Sequence, residues 1–258
     1  MAPTRNSSNQ RSIFYKSLNH PSPFLELWRG GGSSFKWALL EGELTLKIEE
    51  GREAVFACLE GSLRVDDGER KASLSRKDLL YLSGPLDLWL EGRNCLIVSG
   101  EGPSNRGKEW LVRRFDDLKP LLVGFDGYRR YVYTALGVSD PSASLLAGFT
   151  EGFQGEWTSF PPHKHDDKVE VYVYYGLGDG IGVQIVEDED GVDAYPVRDH
   201  DAVVILRGYH PNVATPGSRI CYCWILCQVS GVKSMSVKVK PGFERLQSGP
   251  SHLTVTSR

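Results

Sequence analysis

The chain has 258 residues, a length that accommodates two domains or one large β domain. Its 30 Lys and Arg residues against 33 Asp and Glu residues give a net charge of −3, so it lacks the basic excess that neutralises nucleic-acid phosphates. The longest apolar runs fall far short of the about 20 residues of a membrane-spanning helix, and the polar first residues predict no secretory signal. The odd number of cysteines, 5, favours a cytoplasmic protein with free thiols.

Short apolar runs rich in Val, Ile, Leu, Tyr and Phe lie between glycines along most of the chain, a pattern typical of β proteins. Helical signals are few, and the strongest covers 108–118, a segment that Pro120 then closes. In chain order, strands are predicted over 35–40, 44–48, 54–59, 62–65, 79–82, 86–90, 95–98, 130–134, 170–175, 183–186, 202–206 and 219–228.

Weak internal similarity indicates a duplication. The segment 78–84 resembles 201–208, and 92–96 resembles 217–221, so the two halves are predicted to share one strand plan. We place the boundary after a polar connector, at residue 120. Because closing a sheet protects its edge strands, we expect one barrel in 1–120, preceded by a polar leader, and a second in 121–258.

The second half contains the residues with the clearest chemistry. His163 and His165 are separated by one residue, so a strand would direct both imidazoles to the same face. A turn at 166–168 then leads into an alternating strand that contains Glu170. Glu170 could therefore join the two imidazoles.

A third imidazole follows the buried-type strand 202–206, in a turn that contains His210 and could return it to the same place. Three neutral imidazoles and one carboxylate suit a borderline divalent ion such as zinc, manganese, iron or nickel. The sequence therefore predicts one metal site in the second half.

These residues resemble the two motifs of the cupin superfamily, G…HxH…E…G and, after a later strand, G…H. Gly155, His163, His165, Glu170 and Gly176 supply the first motif, and Gly208 and His210 supply the second. A closer similarity, over about residues 150–225, is to the bicupin family of 5-deoxy-glucuronate isomerase, whose relative is 4-deoxy-L-threo-5-hexosulose-uronate ketol-isomerase of the pectin pathway. The segments that carry it are 157–166, 170–172, Gln184, 207–211 and 216–217.

The resemblance implies an all-β fold of tandem cupin barrels, also called double-stranded β-helix or jelly-roll barrels: a bicupin with few short helices. It implies that the first barrel has lost its metal ligands and serves as a packing and dimerisation partner, and the only histidine of the first half is His20. The implied activity is a metal-dependent aldose–ketose isomerisation in inositol catabolism. It converts 5-deoxy-D-glucuronate into 5-dehydro-2-deoxy-D-gluconate through a metal-stabilised enediolate. The expected binding partner is a small sugar acid, and the resemblance is compatible with a homo-oligomer.

The resemblance also implies roles for individual residues. His163, His165, Glu170 and His210 would hold the divalent ion, with Zn²⁺ expected first and Mn²⁺, Fe²⁺ and Ni²⁺ as alternatives. Glu170 would be either ligand and proton carrier or ligand only. The substrate carboxylate requires a cation, either Arg207 or Arg198. The candidates to hold sugar hydroxyls are Tyr172, Gln184, Tyr209 and Tyr222.

Two other functions use the same ligand set. An iron-dependent cupin dioxygenase would activate oxygen there, and a non-catalytic sugar-binding cupin is suggested by Ile185, which stands where the family has a basic residue.

Other motifs are expected to be structural. Cys221, Cys223 and Cys227 are predicted to be buried core thiols rather than ligands of a second metal. The acidic run 187–190 is predicted to form a hairpin turn rather than a calcium site, and 176–180 a hairpin rather than a phosphate-binding loop. The histidines expected to be structural are His20, His200 and His252.

Overall fold

The computed structural model describes residues 10–18 and 20–246. Regular structure in this part is almost all β-strand, with two 3-10 helices of three residues, Phe115–Asp117 and Glu244–Leu246. The predicted all-β class with few short helices is confirmed. In chain order the strands are β1 Ser12–Tyr15, β2 Ser22–Gly30, β3 Ser33–Ile48, β4 Arg52–Asp66, β5 Lys71–Leu74, β6 Leu79–Ser83, β7 Leu86–Pro103, β8 Trp110–Arg113, β9 Leu121–Val123, β10 Arg130–Leu136, β11 Leu145–Gly152, β12 Trp157–Thr158, β13 His163–Lys164, β14 Lys168–Tyr175, β15 Gly182–Asp188, β16 Gly191–Val197, β17 Ala202–Ile205, β18 Asn212–Ala214, β19 Cys221–Gln228 and β20 Lys238–Val239.

The described strands form two large antiparallel sheets and two small ones. One seven-stranded sheet has the order β2-β3-β7-β4-β6-β8, with β5 beside β4, and the other has the order β1-β17-β14-β19-β11-β10-β9. The four-stranded sheet β12-β18-β15-β16 packs on the second through a core that contains Tyr174, Val186 and Val197. Two packed sheets of this kind form a jelly-roll, and β13 pairs with β20 at its side.

Three strands of the first sheet are longer than the sequence pattern predicts. β3, β4 and β7 each cover two predicted strands and continue through a change of register. At Gly61 in β4, φ is 66° and a Cβ would lie 2.2 Å from the carbonyl oxygen of Arg93, so only glycine fits. This glycine therefore marks a bulge inside a continuous strand rather than a break between two strands.

The helix predicted over 108–118 is wrong. This segment forms β8, which pairs with β6, and then the first 3-10 helix. Trp110 and Val112 pack on one apolar core while Leu111 packs on another, so the burial alternates with the period of a strand. Pairing with β6, which would otherwise be an edge strand, overrides the local helical pattern.

One apolar core runs through both predicted halves, and it includes Phe35 from the first and Phe149 from the second. Beside it, the buried carboxylate of Glu53 accepts hydrogen bonds from three consecutive backbone N–H groups at 143–145, from the Ser144 hydroxyl and from the Tyr81 hydroxyl, at 2.7 to 3.1 Å. These contacts hold the second half against the first.

Strand β1 pairs with β17, so a segment before residue 120 lies in a sheet otherwise built by strands after it. Next to β1, the Arg11 guanidinium forms ion pairs with Asp188 at 3.1 Å and Asp193 at 3.3 Å. The division of the chain into 1–120 and 121–258 stays a prediction.

Of the two loops predicted as hairpins, one is confirmed. The acidic run 187–190 lies at the β15–β16 hairpin. The segment 176–180 instead connects β14 to β15, which lie in different sheets, so the second hairpin prediction is wrong. The Asp199 carboxylate accepts the N–H groups of Leu177 and Gly178 and holds this crossing, a contact that the local sequence does not reveal.

All five cysteines are buried with free thiols, as predicted. The His200 imidazole lies away from the other histidines, with Nε2 at 3.0 Å from the Glu60 carboxylate. His252 lies outside the described residues. Within them, the chain forms no helix with the length and apolarity needed to cross a membrane.

Candidate metal centre

Three separate segments converge on one end of the second-half sheets. Glu170 lies on β14, buried between the register partners Ile205 and Leu226. His163 begins β13, whose pairing with β20 fixes the HxH segment. His210 lies in the turn between β17 and β18.

The His210 turn depends on Gly208. Its φ is 99°, and a Cβ there would lie 2.8 Å from the Glu187 carbonyl oxygen, so a side chain would push the turn away from β15. The backbone N–H of His210 donates to the carbonyl oxygen of His163 at 3.3 Å, which ties the two histidine segments together.

The predicted ligands lie close together. His163, His165 and His210 each offer one ligand atom, and these atoms lie within 4.8 Å of one another. The Oε2 atom of Glu170 lies 3.6 Å from Nε2 of His165 and 3.2 Å from Nε2 of His210. The four side chains that the sequence predicts as one set therefore share one centre.

Backbone carbonyls fix the tautomer of all three imidazoles. The Nδ1 atoms of His163, His165 and His210 lie 3.0, 3.2 and 2.9 Å from the carbonyl oxygens of Pro161, Ser236 and Gly208, respectively. A carbonyl oxygen only accepts, so each Nδ1 carries a proton and donates it. In the neutral form, a ring with this tautomer presents the Nε2 lone pair, which is the arrangement of metal-binding histidines.

The electrostatics of the centre call for a positive charge. Burial raises the pKa of Glu170, but its contacts with His165 and His210 outweigh this and lower it to about 2, so the carboxylate is ionised. Burial, with the neighbouring imidazoles, lowers the pKa of His163 well below its usual value, so this ring is neutral. Among the described residues, neither Oε2 of Glu170 nor Nε2 of His210 has a hydrogen-bond partner. These buried acceptors fit a divalent cation between them.

A cleft that is partly open to solvent leads to the centre. Its polar lining includes His163, His165 and Glu170, and also Tyr172 and Ser159, whose hydroxyl oxygens are 3.2 Å apart. The rest of its wall is largely apolar and includes Leu121, Val123, Val132, Trp224, Leu226 and Met235.

Two of the predicted hydroxyl-binding residues line this cleft and two do not. Tyr172 and Tyr222 line it with their ring centroids 4.2 Å apart. Tyr209 lies outside the lining, where its backbone bridges to Glu187. Gln184 is fully buried, and its amide bonds to Tyr174, Asn212 and the backbone carbonyl of His210, so it supports the His210 turn rather than facing the cleft.

Neither predicted arginine faces the cleft. Arg207 forms ion pairs with Asp188 at 2.8 Å and Asp190 at 3.0 Å, and the exposed Arg198 bonds to backbone carbonyls of the 176–180 crossing. Arg130 lines the cleft instead, as the first residue of β10, with Val132 and Thr134 following at every second position. That alternation is the sequence signal by which Arg130 could have been found.

Comparison with known proteins identifies relatives. The KduI/IolB family model matches residues 29–246. The 5-deoxy-glucuronate isomerase of Bacillus subtilis (strain 168) is 34% identical over 209 residues, which cover 74% of this chain and 75% of that protein. The protein of the same name from Geobacillus kaustophilus (strain HTA426) is 32% identical over 105 residues, which cover 36% of this chain and only 38% of that protein. The resemblance read from the sequence motifs is confirmed.

A solved structure supports the fold. An IolB-like protein from Salmonella typhimurium LT2 matches with a TM-score of 0.77 at 16% identity, covering 92% of this chain and 99% of that chain. At this identity the similarity shows the fold alone, and it confirms the predicted tandem-barrel architecture.

Proposed function

Because the chain belongs to the KduI/IolB family, we propose that it is a metal-dependent aldose–ketose isomerase acting on a deoxy-uronate such as 5-deoxy-D-glucuronate. The product would be 5-dehydro-2-deoxy-D-gluconate. The observation that carries the proposal is the set of three imidazoles whose Nε2 atoms are held inward by backbone carbonyls, next to the Glu170 carboxylate.

The donor set determines which ions fit. His163, His165, His210 and Glu170 would hold a divalent ion, with Zn²⁺ proposed first and Mn²⁺, Fe²⁺ or Ni²⁺ as alternatives. When bound, such an ion polarises the substrate carbonyl and stabilises the enediolate that forms during isomerisation.

The proposed reaction moves a carbonyl between neighbouring carbons. One proton moves from the carbon that bears the hydroxyl to the former carbonyl carbon, and the hydroxyl proton moves to the former carbonyl oxygen. The product is therefore an isomer, and no oxidant or reductant is consumed. Glu170 is ionised and can accept a proton, and it serves either as ligand and proton carrier or as ligand only.

The tyrosines of the cleft would act as donors. Burial raises the pKa of Tyr172 well above its usual value and raises that of Tyr222, so both stay protonated and can donate a hydrogen bond to a sugar oxygen. The apolar wall would reduce the number of water molecules next to a bound sugar, which protects an enediolate from side reactions and strengthens these hydrogen bonds.

A cytoplasmic location belongs to the proposal and is supported by the five buried free thiols, which suit a reducing compartment. Assembly with further copies of the chain stays a prediction.

Deuterium exchange tests the activity. Metal-loaded protein is incubated with 5-deoxy-D-glucuronate in D₂O, and NMR follows both ketose formation and deuterium at the carbon next to the carbonyl. We expect both signals, and we expect His210→Gln to abolish them while His200→Gln, outside the centre, keeps them. Oxygen consumption without ketose would favour the dioxygenase, and binding without either reaction would favour the non-catalytic cupin.

A further inference from the structure

Arg130 is a buried cation in the wall of the cleft. Its residue is 4% exposed, and it lines the cleft together with His163 and Tyr222. Arg130 is the first residue of β10, which lies between β9 and β11. Its register partners are Val123 of β9 and Gly152 of β11. Its position is therefore set by the sheet rather than by a loop.

No acid of the described chain neutralises Arg130. Its Nη1 donates to the carbonyl oxygen of Tyr128 at 3.3 Å, and no described carboxylate forms an ion pair with it. The adjacent Arg129 shows the contrast. Although its side chain is 39% exposed, it forms ion pairs with both Asp126 and Glu156. The exposed arginine has two acidic partners, and the buried one has none in the part of the chain that the structure describes.

The titratable side chains that act on Arg130 are tyrosines rather than carboxylates. They are Tyr128, Tyr172 and Tyr222. Burial lowers the pKa of Arg130, yet a guanidinium keeps its proton in proteins. A buried charge of this kind calls for an opposite charge, which must come from a ligand.

We propose that Arg130 binds the carboxylate of the substrate and makes the site selective for acidic sugars over neutral ones. This inference rests on the proposed function and assigns its acid-recognition residue. The planar guanidinium matches a carboxylate with two parallel hydrogen bonds, and the neighbouring Val123 and Val132 shield that pair from water. The sugar end would then reach toward Tyr172 and the histidines.

The test uses two ligands that differ only at C6: 5-deoxy-D-glucuronate and 5-deoxy-D-glucose, which has a CH₂OH group there. Isothermal titration calorimetry and steady-state kinetics are run on the metal-loaded wild type, Arg130→Met and Arg130→Lys. Losing one partner of a buried charge pair weakens binding by about 100-fold. We therefore expect the dissociation constant and KM for the uronate to rise by about that factor in Arg130→Met, with affinity for the neutral sugar unchanged and partial recovery in Arg130→Lys.

Two further variants and a stability measurement complete the design. Arg64→Gln, an exposed arginine of the first half, is the matched control, and Arg207→Gln tests the competing arginine. Because no described acidic side chain pairs with Arg130, Arg130→Met is expected to keep or raise the thermal midpoint, whereas a structural arginine would lower it. An unchanged preference for the acid in Arg130→Met, or its loss in Arg207→Gln instead, overturns the assignment. Acid-selective binding that depends on Arg130 without isomerisation would overturn the proposed function but not this inference.

Discussion

Loading the centre with a divalent ion is expected to stabilise the fold by an amount that can be estimated. An ion that binds only the folded protein at 1,000 times its dissociation constant adds about 4 kcal/mol to the free energy of unfolding. For a chain of this size, 1 kcal/mol corresponds to about 2 °C in the thermal midpoint, so the midpoint should rise by about 8 °C.

The assay is a calorimetric melt of chelator-treated protein with and without excess Zn²⁺, Mn²⁺, Fe²⁺ or Ni²⁺. His210→Gln removes one inward Nε2 from a fully buried position and should reduce the shift to about 1 °C or less, provided that it weakens binding by about 1,000-fold. His200→Gln, paired with Glu60 outside the centre, should keep the full shift. The reasoning is refuted if none of the four ions shifts the wild type, or if His210→Gln shifts as much as the wild type does.

Three further outcomes follow from particular contacts. Glu53→Gln should lower the free energy of unfolding by about 3 kcal/mol in denaturant melts, since five donors converge on that carboxylate; a loss as small as that of the exposed Glu26→Gln would contradict this. Gly208→Ala should weaken metal binding at least about 10-fold by moving the His210 turn, and unchanged calorimetric affinity would count against it. Hydrogen bonds from Arg129 lower the pKa of Glu156. The contribution of Glu156 to the stability of the fold is therefore complete above pH of about 4.5 and is lost as pH falls through the folded-state pKa. The free energy of unfolding, measured from pH 6 down to pH 3, should therefore fall less steeply in Glu156→Gln than in the wild type. Parallel curves for the two proteins would reject this.

Much of the fold follows from the sequence because the strands carry their own pattern. β14 and β19 contain the alternating or continuous apolar runs from which they were predicted, and both are found. The local sequence pattern does not show which distant segments pair with each other. β8 was predicted as a helix because only its partner β6 makes it a strand, and the junction of β1 with β17 has no local signal.

The candidate site divides in the same way. The spacing of His163, His165 and Glu170 determines a shared face, so the sequence could predict that they meet. The ion-pair partners of an arginine cannot be predicted in this way, because they come from other segments of the chain. Arg207 is already paired with Asp188 and Asp190, while Arg130 has no acidic partner among the described residues, and neither fact is visible in the local sequence.

Anomalous diffraction from crystals of the zinc-loaded protein, measured at the zinc edge, tests the central claim most directly. The account predicts one strong peak within about 2.0–2.2 Å of the Nε2 atoms of His163, His165 and His210 and of a Glu170 carboxylate oxygen. No peak at that position, or a peak about 2.3 Å from the sulfur atoms of Cys221 and Cys223 instead, would contradict it.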